Sequence, residues 1–143
     1  MSASHNQTSI QIDLDVALHA GRLPMILALI AGLIWLIVAQ PLFVSILAWV
    51  LYIAAGLGDA DRLVTAGRSP GAVDAAANGA VAGALTGIAF SIGILISQTL
   101  VRFGIFVYGF DFALQQIVAG AVAGGLAAVL WSARRSATEQ PRH

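Results

Sequence analysis

An all-α fold is predicted for this chain: an integral membrane bundle of four transmembrane helices, one helical hairpin plus two Gly-rich spans, behind a short polar N-terminal segment. Three observations predict it. The 143 residues are 59% hydrophobic and 10% charged, against roughly 45–50% and about 25% in a soluble domain. Long apolar runs fill the stretch from Leu23 to Trp131, and since one spanning helix takes about 20 such residues there is room for about four. The charged residues fall between or outside those runs. On this reading residues 1–22 are an N-terminal segment, 23–135 the membrane domain with spans at about 24–39, 42–57, 75–100 and 113–131, and 136–143 a polar C-terminal tail.

The N-terminal segment is ambiguous in kind. Ile10, Ile12, Leu14, Val16 and Leu18 alternate with Gln11, Asp13, Asp15 and Ala17, the period of a half-buried strand. Ile10, Leu14 and Leu18 also stand at i, i+4 and i+8, which suits an interfacial helix, and an unstructured terminus is the third reading. The first apolar run starts only at Leu23 and is too long for a cleaved signal peptide, so a retained span is expected.

From Leu23 to Leu57 the chain is apolar apart from Gln40, Pro41 and Ser45. As one helix this run would be about 52 Å long, well beyond an apolar core of about 30 Å. Gln40-Pro41 lies near its midpoint, and proline removes a backbone donor while disfavouring helix at the residue before it. A hairpin turning there is predicted over one long kinked helix. Its arms are short for spans, within reach of a thinned or tilted arrangement.

Gly58 to Pro70 holds Asp59, Asp61, Arg62 and Arg68 among Gly and Pro residues, the composition of a hydrophilic loop. After the third span, Arg102 and Asp111 stand among Phe103, Phe106, Tyr108, Phe110 and Phe112, as in an aromatic belt at the membrane interface. Trp131, Arg134 and Arg135 close the fourth span.

The arginines orient the bundle. Four spans put Arg22, Arg62, Arg68, Arg134, Arg135 and Arg142 on one side and Arg102 on the other, so the positive-inside rule predicts both termini in the cytoplasm. All seven cations are Arg and none is Lys, a bias read as that of a GC-rich prokaryotic genome, which makes the expected location a prokaryotic inner (cell) membrane.

Gly79, Gly83 and Gly87 repeat every four residues in the third span, and Gln116, Gly120 and Gly124 do so in the fourth. In lipid, helices gain little hydrophobic energy by joining, so small residues that let backbones approach supply the contact. These five glycines are the predicted helix-packing residues, either within the bundle or toward another copy or subunit. The words Gly79-Ala80-Val81-Ala82-Gly83 and Gly120-Ala121-Val122-Ala123-Gly124 match, too short a likeness to establish a duplication.

Chemistry is thinly represented. Seven Arg balance seven acidic residues, leaving no basic field for nucleic acid. There is no cysteine, hence no thiolate ligand or nucleophile. No ionisable residue is expected deep in a span, where functional polar sites of membrane proteins usually declare themselves. Asp74 is expected to cap the third helix, or with Asn78 to line a vestibule. Gln98, Gln115 and Gln116 are expected to hydrogen-bond between helices. His19 lies just before the first span, with His5 and His143 in the tails, so no haem ligand is expected. Ser45, Ser91 and Ser97 have no histidine partner in a span, and the glycines lack the lysine of a phosphate loop. The deep Glu that a small multidrug transporter needs is missing from the first span.

No catalytic residue, cofactor or metal is therefore predicted. The function expected is non-enzymatic: an accessory or scaffold subunit in the lipid bilayer, packing against partner membrane proteins or itself through Gly-rich helix faces. A small homo-oligomeric channel or transporter is the alternative, with Asp74, Asn78 and Gln116 along a polar path.

Overall fold

The computed structural model describes residues 12–35, 41–67, 71–101 and 109–139. They form four helices: α1 (Leu14–Ile34), α2 (Pro41–Thr65), α3 (Ala72–Val101) and α4 (Phe110–Glu139). Each is long and apolar enough to cross a membrane. The chain is thus an all-α, multi-pass membrane protein.

Helix α1 begins ten residues earlier than the predicted span, because Asp13 caps it with a side-chain oxygen that accepts from the Val16 N–H at 3.2 Å. The i, i+4 spacing of Leu14 and Leu18 therefore prevails over the strand alternation, while Ile10 and Gln11 lie outside the described residues. Pro24 sits inside α1 and is buried. Proline has no N–H to give the carbonyl four residues back, and that carbonyl, of Ala20, faces Gly58 of α2.

Helices α1 and α2 are separate and packed on each other, as the Gln40-Pro41 hairpin predicts, with Gln40 itself outside the described residues. Pro41 opens α2, in the first turn, where its missing N–H has no intrahelical partner to lose. The predicted loop from Gly58 is corrected: α2 continues through Asp59, Asp61 and Arg62 to Thr65. Glycine in a helix costs about 1 kcal/mol but does not stop it. The stop comes at Gly67, whose φ of 75° is left-handed and whose N–H turns back to the Val64 carbonyl at 2.9 Å.

Helix α3 starts after Gly71, whose carbonyl accepts from the Ala75 N–H. Helix α4 runs past Trp131 and both arginines to Glu139, so the polar tail begins as helix. At 30 residues each, α3 and α4 are about 45 Å long, exceeding the apolar core. The aromatic belt assigned to Val101–Phe112 lies mostly outside the described residues, which resume at Gly109.

Neighbours run antiparallel in sequence order. Every pair of helices touches except α1 and α4, which occupy opposite corners while α2 and α3 meet across the middle. Gly83 packs on Gly120 and Gly79 on Gly124, so the two matching words face each other. The starts of α1 and α3 and the ends of α2 and α4 share one end of the bundle. Outward, Leu23, Ile30, Leu42, Phe43, Leu100 and Leu130 are exposed, as lipid-facing side chains should be.

Candidate functional site

The glycine seams explain how close the helices come. A Cβ at Gly83 would fall on the Gly120 carbonyl oxygen, one at Gly56 on that of Gly124, and one at Gly32 on that of Phe90. Such approaches bring Cα–H groups against carbonyls and gain dispersion without bulk. All five predicted packing glycines, Gly79, Gly83, Gly87, Gly120 and Gly124, are spent on the α3–α4 seam within the chain. Within the chain these glycines look inward.

At the end where α1 and α3 begin, one layer of the bundle is alanine. Ala17 of α1, Ala55 of α2 and Ala82 of α3 pack together and are fully buried. Side chains four apart on a helix lie on one face, so one turn outward from this trio come Asp13, Asp59 and Asn78. The layer above the alanines is polar, supplied by three different helices.

Asn78 is buried, and its side-chain oxygen accepts from the Asp13 backbone N–H at 2.8 Å. Its amide N–H donates to the Asp74 carbonyl at 2.8 Å. One side chain thereby ties the cap of α1 to the first turn of α3. Asp59 is 0% exposed, and neither carboxylate oxygen has a hydrogen-bond partner. Beside this layer, Ala60, Ala75 and Ala128 pack with Trp131, whose indole N–H is also buried without a partner. On the outside, Arg135 reaches Asp61 at 3.7 Å, an exposed pair of small energetic weight.

Asp74 lies in the first turn of α3, where its charge meets the positive end of the dipole, while the residue before the helix is Gly71. Gln116 accepts from the Tyr52 hydroxyl at 2.9 Å, joining α4 to α2. It packs against Gly87, nine residues and about 14 Å along α3 from Asn78, with the Gly79–Gly124 and Gly83–Gly120 contacts between. Asp74 and Asn78 are brought together; Gln116 is not part of their group. Gln98 is buried, while Gln115 is exposed. Thr86 and Ser91 return their hydroxyls to carbonyls one turn back on α3. His19 is exposed on α1 and pairs with Asp15 at 3.3 Å. Arg102 lies outside the described residues.

Asp59 and Asp13 do not stand out as site residues in the sequence, because the charges from Asp59 onward have the composition of a loop while Asp59 lies within α2. The signal was present: Ala48, Tyr52, Ala55, Asp59 and Leu63 recur every three or four residues, all buried. The core stripe of α2 passes straight through the aspartate.

Compared with known proteins, the chain matches no protein-family model, no curated protein and no solved structure.

Proposed function

We propose that this chain is a non-enzymatic membrane protein acting as an accessory or scaffold subunit, joined in the bilayer to other membrane proteins or to further copies of itself. The observation that carries the reading is the interior, where glycine seams bring three helix pairs into backbone contact and leave Gln116 apart from Asn78. Among the described residues, the Gly79–Gly124 and Gly83–Gly120 contacts stand between the polar groups at Asn78 and at Gln116. The proposed association then uses the outward Leu, Ile and Val ridges instead of the Gly faces. The excess of arginine at the end where the described chain begins and finishes supports a cytoplasmic position for both termini of a prokaryotic inner-membrane protein. Purification from the native membrane in mild detergent, followed by mass determination, tests the reading: a complex larger than one chain is expected, and a stable lone monomer defeats it.

One observation favours a second reading, a small homo-oligomeric channel or transporter. Asp59 is an acidic side chain buried within a helix long enough to span, and such residues often mark ion pathways. The discriminating measurement is flux into liposomes. A flux unchanged by Asp59→Asn and by Gln116→Leu removes both residues from any pathway.

A further inference from the structure

We infer that Asp59 is a proton-binding site, and that the proton it takes up holds the first turn of α1 against α2 and α3. The inference stands apart from both readings above, since it concerns one carboxyl group and a cation whatever the protein assembles with or conducts.

The geometry comes from the alanine layer. Ala17, Ala55 and Ala82 let three helices converge, and Asp59, one turn beyond Ala55, has a side chain too short to reach past them to water, unlike a long arginine. Its buried neighbours along α2 are Ala55, Ala60 and Leu63. Both of its oxygens are without a hydrogen-bond partner. A buried carboxylate in that position needs a positive charge.

Among the described residues, none is supplied by the helices packed around it. On α1, Asp13 is a half-buried acid, Asp15 and His19 are exposed and paired with each other, and Arg22 is exposed. On α2 itself, Asp61 and Arg62 are exposed, and on α3 Asp74 is half-buried. On α4, Arg134 is exposed and Arg135 is engaged with Asp61. Of these groups, Asp13 shares the layer of Asp59, one turn from the alanine trio, and it too is an acid.

The donor set then selects the cation. A calcium ion takes six to eight oxygens, and among the described residues no three His, Cys, Asp or Glu side chains gather to hold a metal. Both functional atoms of Asn78 are already engaged. A proton needs no coordination shell, and one bound to an Asp59 oxygen removes the negative charge that faces Asp13. When it leaves, two carboxylates oppose each other where Asp13 caps α1 and bonds to Asn78, and the first turn of α1 is pushed from its seat.

The test is infrared difference spectroscopy of the full chain in lipid vesicles across a pH titration. A carboxylic-acid C=O band that titrates is expected in the wild type, lost in Asp59→Asn and kept in Asp15→Asn and Asp61→Asn. In Asp13→Asn, which leaves Asp59 in place, the band should persist. Because the chain has no cysteine, spin labels at Asp15→Cys and Thr65→Cys report the second half, with a separation that grows as the band disappears. The proposal is overturned by a wild-type spectrum without such a band, by a band that survives Asp59→Asn, by a band displaced by sodium or calcium ions at constant pH, or by a label distance indifferent to pH.

Discussion

The two ends of the bundle close by opposite means. At one end the core is large: Trp35 meets Phe90 edge-on with ring centres 5.7 Å apart and leans on Phe112 at 6.0 Å, with Val44, Ile94 and Tyr52 in the same cluster. At the other end the core is alanine, in two sets, Ala17–Ala55–Ala82 and Ala60–Ala75–Ala128. At the aromatic end rings fill the space beside the backbone contact of Gly32 with Gly93, whereas at the other end small residues remove the space. The consequence is electrostatic. Where helices converge on alanine, an aspartate on the core stripe has no room to turn outward, and Asp59 is enclosed. At the aromatic end the polar group on the same stripe is a tyrosine, long enough for its hydroxyl to find Gln116 across the bundle.

The contrast can be broken where the seams are tightest. Gly83→Leu should be the most damaging single change, since a side chain there meets the Gly120 backbone and has no rotamer that avoids it. A loss of about 3 kcal/mol or more is expected, seen as failure to recover monodisperse protein from detergent. Phe90→Ala comes next, opening a cavity beneath Trp35 at a cost of roughly 3 kcal/mol. Reversible unfolding in mixed micelles would measure it, and a loss below about 1 kcal/mol would mean the aromatic end is not close-packed.

Asp59→Asn should act in the opposite direction at the alanine end. It keeps the shape while removing an acid whose ionised form has no partner, so the variant should be at least as stable as the wild type, by up to about 1 kcal/mol. A variant that unfolds instead would show that the acid makes an essential contact. Tyr52→Phe deletes one interhelical hydrogen bond, worth about 0.6 kcal/mol in comparable bundles, and its cost should vanish in the background of Gln116→Leu. Smallest of all, Arg135→Gln removes the exposed pair with Asp61 and should change stability by less than about 0.5 kcal/mol, with any effect lost in high salt.

Much of this architecture was legible, and its gaps have physical causes. The hairpin followed from Pro41, and the packing role of the glycines from their four-residue rhythm. Helix ends were the weak point. Charged residues from Asp59 onward have the composition of a loop, although among the described residues the one left-handed glycine is Gly67. The start of α1 depended on Asp13, whose capping bond competes with an equally readable strand alternation. The candidate site was reached only in part: Asp74 and Asn78 were singled out, but Asn78 as a vestibule residue, whereas it is enclosed and bonded to the α1 cap.

By itself the sequence determined that the chain lives in lipid, how many helices cross it and that small residues join them, because these depend on composition and on spacing along one helix. Only the tertiary structure decided which glycine faces which, and that Asp13, Asp59 and Asn78 form one layer. Those three come from helices far apart in the chain, and the register between them is set by alanine contacts that no single helix's periodicity contains.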